Sequence, residues 1–341
     1  MTDARKVLIT GGTGSFGRAM IEHLLGLDTV ESIRVFSRDE TKQWDLREQL
    51  RDPRVSYVLG DVRDRESMRR AMYGIDQVFH AAALKQVPST EFHPLEAIRT
   101  NVVGSENVLR TALEARVRSV VMLSTDKAVY PVNAMGMSKA LMEKLVWSFA
   151  REDTGSETTA SVVRYGNVLC TRGSVVPLFI RQLRAGLPLT ITDPQMTRFL
   201  MSMGESIELA GHALEHAGQG DLFIRKAEAC TMADLAGAVL DLFRSDVGIR
   251  VIGTRHGEKL SESLATRGEL SRAVDEDRYL RIPLDVRGLD YASFVDEGSS
   301  GSLLSWEDYD SASVRRLDRR EVLDRLAGLP EIQRVLQGGA V

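Results

Sequence analysis

A chain of 341 residues with 43% hydrophobic and only 6% aromatic side chains holds enough apolar material for a sizeable core, built mainly from Val, Leu, Ile and Ala. A formal net charge of -4 argues against a general nucleic-acid or membrane-surface role. Cys170 and Cys230 are the only cysteines, few for a secreted chain of this length, so a reducing, cytoplasmic setting is expected.

The first residues lead straight into a strand pattern, so no secretory signal is expected, and no run approaches the roughly 18 apolar residues of a membrane span. Short β-like runs at 6–10, 32–36, 55–59, 77–80, 119–123 and 159–164 alternate with helix-period segments such as 94–115 and 134–150. That alternation predicts an α/β fold, a Rossmann-like doubly wound parallel sheet with helices on both faces. Residues 1–165 form the dinucleotide-binding domain in this reading. Beyond them Gly166, Gly173, Pro177, Gly186, Pro188 and Pro194 break the rhythm. Segments 166–202 and 226–341 are expected to build a smaller C-terminal substrate domain, with the chain returning to the main sheet within 203–225. Residues 296–302 read as a loop, and 318–336 as one amphipathic helix.

The first strand runs into Gly11-Gly12-Thr13-Gly14-Ser15-Phe16-Gly17, which then opens a helix. Glycines there permit a tight turn and a close approach of backbone N–H groups to a pyrophosphate, facing a helix N-terminus. About twenty residues later, where an acidic side chain would select NAD, stand Ser37 and Arg38, with Lys42 nearby. Donors and positive charge there favour NADP, although Asp39 lies close by. Asp61 and Val62 after the third strand fit an adenine contact. Ala81, Ala82 and Ala83 end the fourth strand with side chains short enough for a cofactor to lie against. At the end of the fifth strand, Thr125, Asp126 and Lys127 place a hydroxyl, an acid and an amine where open α/β sheets bind ligands. Lys139 follows on the next helix.

These residues sit in segments that resemble the extended short-chain dehydrogenase/reductases. More closely, the chain resembles inverting UDP-N-acetylglucosamine 4,6-dehydratases that supply sugars for capsule, lipopolysaccharide and flagellin. The matching stretches include TGGTGSFG, FSRDETKQ, HAAALKQVP, TNVVGSENV, LSTDKAVYPVNAMGMSKA, RYGNV, ITDPQMTRF and GTRHGEKL. Retaining dehydratases carry Asp-Glu after the threonine, whereas this chain has Asp126-Lys127. The superfamily's Tyr-x-x-x-Lys appears as Met135 to Lys139, a change shared by some capsule-type members. Methionine has no ionisable proton, so another group must take the proton of the sugar 4-hydroxyl.

The resemblance implies a set of roles. Lys139 binds the nicotinamide ribose, Thr125 the sugar O4, Asp126 protonates the departing 6-hydroxyl, and Lys127 removes the C5 proton. As a base, Lys127 needs a lowered pKa, from desolvation or from a cation such as Lys139. Lys85, Asn101, Tyr165 and Asn167 also join the cofactor site. The UDP-sugar falls to Lys85, Asn167, Val176, Thr192, Arg198, Met201, Arg255 and Glu258. The two arginines neutralise the diphosphate, and for Val176 ordinary helix packing is an equal alternative. His212 and His216, four apart, lack a third ligand and read as a solvated helix face, with no metal site. A homo-oligomer, dimer or hexamer, is expected, as is possible C3 epimerisation after C5. The competing functions are a nucleotide-sugar epimerase or reductase on the same scaffold, and a non-catalytic NADP-binding regulator.

Overall fold

The computed structural model describes residues 5–152, 157–285 and 307–339. The strands in chain order are β1 (Arg5–Thr10), β2 (Val30–Ser37), β3 (Val55–Leu59), β4 (Gln77–His80), β5 (Ser119–Leu123), β6 (Thr159–Arg164), β7 (Asn167–Val168), β8 (Leu189–Ile191), β9 (Thr197–Met201), β10 (Leu222–Arg225), β11 (Ala229–Thr231), β12 (Ile249–Val251), β13 (Ser263–Ala265), β14 (Val274–Glu276), β15 (Tyr279–Ile282) and β16 (Tyr309–Asp310). Nine of them form one sheet in the order β14-β15-β10-β6-β5-β4-β1-β2-β3. From β3 across to β10 every neighbour is parallel. The six expected strands are all present. The chain leaves β1 toward β2 on one side and returns to β4 on the other, so the switch point lies between β1 and β4, above the glycine segment.

The parallel strands are apolar almost throughout, as a sheet covered on both faces requires. One core cluster packs Leu8, Phe36, Val78, Val120 and Val162 under the Gly104–Glu114 and Ala134–Glu152 helices. On the other face Val7, Ile9, Val121, Val163 and Phe223 meet the Ser15–Leu25 and Met203–His216 helices. A third cluster, with Phe179, Ile191, Leu235, Val322 and Ile332, forms the core of the smaller C-terminal region.

Three local expectations change. The main sheet takes two further strands from 274–282, within the segment assigned to the smaller domain. They enter as an antiparallel hairpin beside β10, a geometry that needs no crossover helix. The segment 318–336 is two helices, Arg319–Ala327 and Pro330–Leu336. Asp318 caps the first through Glu321, and Gly328 followed by Pro330 ends it and starts the second. The 94–115 helix is interrupted by a π-helical stretch, Ile98–Val103. The loop read at 296–302 lies outside the described residues. No helix among the described residues is long and apolar enough to cross a membrane.

Candidate active site

The carboxyl ends of β1, β2, β4, β5 and β6 open into one cleft of about 860 Å³, whose far wall comes from the C-terminal region. That is at the upper end of the usual size for a small-molecule site. Its floor is the glycine segment. Gly11 has φ +67°, and a Cβ on it would lie 2.8 Å from the Ala82 backbone. A Cβ on Gly17 would lie 2.4 Å from Gly12 Cα, so any side chain there would part helix from strand. Gly14 is the N-cap of the Ser15–Leu25 helix and gives no side-chain cap. The first N–H groups of that helix are therefore left for a ligand at the cleft face. Thr13, Ser15, Phe16 and Ala81 to Ala83 line the same floor. The residues fit a dinucleotide.

At the end of β2, Ser37 Oγ accepts from Thr13 Oγ1 at 3.2 Å. Asp39, the acid near the discriminating position, accepts from Lys42 N at 3.0 Å and ion-pairs with Lys42 Nζ. Helix capping and Lys42 thus occupy its carboxylate. Arg38 is more than half exposed, 3.9 Å from Asp61 Oδ2. Asp61 also accepts from Arg63 Nη2 at 2.6 Å. Burial works against the Asp61 charge, but Arg63 and Arg38 hold its carboxyl below the usual range. Val62 lines the cleft beside it.

The expected hydroxyl, acid and amine stand at the end of β5. Thr125 Oγ1 donates to Asp126 Oδ1 at 2.7 Å, and Lys127 Nζ donates to the same oxygen at 3.0 Å. Thr125 and Lys127 line the cleft, while Asp126 is fully buried behind them. Its Oδ2 has no hydrogen-bond partner among the described residues. The Ala134–Glu152 helix packs directly on this turn, because Gly136 lets it: a Cβ there would lie 2.2 Å from the Lys127 carbonyl oxygen. That contact brings Met135 and Lys139 to the cleft wall. Lys139 Nζ donates to Leu123 O at 2.7 Å. Burial pushes its pKa down to about 8, with Glu143 acting the other way.

Lys127 departs from expectation. Burial does depress its pKa, but Asp126 and Glu262 outweigh that effect and leave it raised above the ordinary value. The cation opposing them is Arg198, not Lys139.

On the cleft wall from the C-terminal region, Thr192 Oγ1 donates to Glu258 Oε2 at 3.1 Å, and Arg255 Nη2 pairs with Glu258 Oε1 at 2.5 Å. Lys85, Tyr165 and Asn167 line the cleft as expected. Asn167 Oδ1 has no hydrogen-bond partner among the described residues. Arg198 also lines the cleft, but its guanidinium donates to the carbonyls of Thr197 and Lys259 at 2.7 and 2.9 Å. It braces a loop in this structure rather than standing free for a phosphate.

Three expected contacts are not brought to the cleft. Val176 and Met201 are buried at 0% and 1% exposure, Val176 in the core of the smaller region. Asn101 sits in the π-helical stretch at 0% exposure. Its amide accepts from Leu84 N at 2.8 Å and donates to Leu84 O and Ser138 Oγ, both at 2.9 Å. It pins the loop after β4 to the helix carrying Lys139, so it shapes the site without touching it. His212 is half-buried, stacked on Tyr279 at 4.1 Å and 3.3 Å from Glu276, with only His216 solvated. Groups of three or more metal-ligating residues are absent among the described residues.

Glu262 and Arg172 also line the cleft and went unnoticed in the sequence. Arg172 sits in the turn with Gly173 that precedes the Val175–Arg184 helix. Nothing in the linear spacing ties Glu262 to Lys127.

The family model described as polysaccharide biosynthesis protein matches residues 7–284, and its C-terminal companion matches 285–333. A relative in Rickettsia rickettsii (strain Sheila Smith), named UDP-glucose 4-epimerase, is 51% identical over 336 residues, 98% of each chain. One in Rickettsia canadensis (strain McKiel), with the same name, is 52% identical over the same share. Pen from Bacillus thuringiensis superposes with a TM-score of 0.86 at 32% identity, covering 96% of this chain and 99% of that one. DesIV, a dTDP-glucose 4,6-dehydratase from Streptomyces venezuelae solved with NAD and TYD, gives 0.68 at 23% identity, covering 75% and 86%. On a Rossmann-like parallel sheet with a glycine-lined cleft at its switch point, the chain belongs to the polysaccharide biosynthesis protein family.

Proposed function

We propose that the protein is an NADP-dependent lyase that removes water across C5–C6 of UDP-N-acetylglucosamine and inverts C5. The observation that carries this reading is the Thr125–Asp126–Lys127 triplet, in which one carboxylate oxygen meets both a hydroxyl and an amine. Bound NADP would supply hydride acceptance at C4 and its return at C6. The glycine cradle, Ser37, Arg38 and Lys42 would hold it, with Lys139 at the nicotinamide ribose.

The remaining chemistry falls to the chain. Thr125 sits between the cleft and Asp126, so a proton from the sugar 4-hydroxyl can pass through its Oγ1 to Asp126 Oδ1. That route needs no tyrosine at position 135. Asp126, once protonated, is the acid for the departing 6-hydroxyl. Lys127, hydrogen-bonded to that carboxylate at 3.0 Å, acts in its neutral-amine form, so the proton it takes is the one on C5 and Asp126 carries only the proton from the 4-hydroxyl. The ketone at C4 makes that proton acidic. Glu258, Thr192 and Arg255 form the wall suited to the ribose and diphosphate of UDP.

A second reading is a 4-epimerase, which the names of the Rickettsia relatives favour. Both begin with oxidation at C4, but only the dehydratase needs an acid and a base near C5 and C6. Mass spectrometry after incubating the protein with UDP-N-acetylglucosamine, and in parallel with UDP-glucose, separates them. Loss of one water supports the dehydratase. A new 4-epimer of unchanged mass supports the epimerase, and unaltered substrate in both tubes leaves the non-catalytic NADP-binding regulator.

A further inference from the structure

Glu262 is 2% exposed, lines the cleft and has no part in the scheme above. Its Oε1 lies 3.5 Å from Lys127 Nζ and 4.0 Å from Arg198 Nε, and its Oε2 lies 3.0 Å from Lys259 Nζ. A carboxylate so deeply buried is tolerable only because cations surround it. Its backbone is fixed too: its N–H donates to Ser311 Oγ at 2.9 Å and its carbonyl accepts from Ser311 N at 2.8 Å.

The segment carrying Glu262 is docked onto the turn that carries the reactive residues. Lys259 Nζ donates to Val129 O at 2.9 Å, Asn133 Nδ2 donates to Gly257 O at 2.9 Å, and Arg198 holds the Lys259 carbonyl at 2.9 Å. Four residues and one residue before Lys259 come Arg255 and Glu258, the wall suited to UDP. One stretch of chain therefore joins the nucleotide end of the cleft to the amine of Lys127.

We propose that Glu262 is a positioning residue, a second carboxylate that seats the Lys127 amine from the substrate side of the cleft. Lys127 then has a fixed geometry before any sugar arrives, held between Asp126 and Glu262. The charged groups that bear on it are Asp126 and Glu262, which favour the ammonium, and Arg198, which opposes it. Lys139 is turned to the Leu123 carbonyl. Docking of the nucleotide wall and placement of the base are in this way one event. The proton-transfer role of Lys127 rests on the reading above, but its seating by Glu262 does not.

The test is the pH-dependent acylation of Lys127 by acetic anhydride, followed by peptide mass spectrometry on the folded protein without substrate. Glu262→Gln removes one carboxylate, lowers the Lys127 midpoint and raises labelling at pH 9 on the order of tenfold. Glu262→Asp keeps the charge but draws it back, so it gives a smaller change in the same direction, and it serves if the glutamine variant does not fold. In turnover, Glu262→Gln lowers kcat and leaves KM within about twofold. Unchanged Lys127 labelling in the folded variants overturns the proposal. A labelling shift in a protein that dehydrates no UDP-sugar upholds the seating of Lys127 and removes the dehydratase reading.

Discussion

Lys127 Nζ and Thr125 Oγ1 reach the same atom, Asp126 Oδ1, at 3.0 and 2.7 Å, while Oδ2 of that carboxylate stays buried without a partner among the described residues. Asp126 and Lys127 therefore form one ion pair, joined by Thr125, and act as a unit. Lys127→Ala and Asp126→Asn should each lower kcat by roughly 10²–10⁴, the usual loss for a general acid or base. The double variant should be little worse than the poorer single one, as for groups that act together. Steady-state kinetics on the three variants check this; fully additive losses would show that the two act independently.

Stereochemistry tests the order of proton and hydride movements. Substrate deuterated at C4 should give product labelled at C6. In deuterated water the label should enter at C5, with the sugar in the L configuration, and also at C3 if that centre epimerises. NMR of the product reads all three positions, and retention of the D configuration at C5 would overturn the inverting assignment.

Cofactor choice turns on the end of β2. Ser37, next to Thr13, is neutral, and the carboxylate of Asp39 is engaged by Lys42. Ser37→Asp should weaken NADPH binding by about 10–100-fold, the loss of a charge-assisted contact, and improve NADH binding relative to it. Fluorescence titration of both nucleotides measures this. Equal affinity of the wild type for NADH and NADPH would remove the NADP assignment.

Arg164 ties the two regions together. It donates to Glu143 Oε2 at 2.6 Å, to Glu269 Oε1 at 2.8 Å and to the Leu264 carbonyl at 3.1 Å. Arg164→Met leaves two carboxylates unpaired and should cost about 3–5 kcal/mol. Adding Glu143→Gln to that variant should recover part of the loss. Urea denaturation gives both values, and a fully additive further loss in the double variant would show that the pair is not coupled.

His80 supplies an acid-sensitive element. Thr10 Oγ1 and Ser105 Oγ flank its ring at 2.7 and 3.0 Å. Burial, helped by Lys139, pushes its pKa from 6.5 down to about 3. Between those values the unfolded chain binds a proton here that the folded protein does not. This contribution is present above pH 6.5 and is lost as pH falls toward about 3. The slope reaches at most about 1.4 kcal/mol per pH unit. His80→Gln should flatten that dependence, measured as urea midpoints at pH 7 and pH 5; parallel curves for the two proteins would refute it.

The order of short apolar runs and the glycine segment were enough to place the parallel strands and the turn that opens the first helix, because strand burial and tight turns are written in adjacent residues. Thr125, Asp126 and Lys127 were legible for the same reason. The antiparallel hairpin at β14–β15 and the split of the last helix were not, since one depends on a sheet edge far away in sequence and the other on where a two-helix cap could pack.

By itself the sequence determined which groups exist and which cannot ionise, Met135 among them, and that a glycine turn joins the first strand to the first helix. The tertiary structure alone decided their electrostatics. Burial drew the Lys139 pKa down, whereas Glu262, brought beside Lys127 from across the cleft, helped to raise that of Lys127. It also turned Asn101, Val176 and Met201 inward. The physical reason is that charge interactions and exposure depend on distances through space, which residue spacing along the chain does not encode.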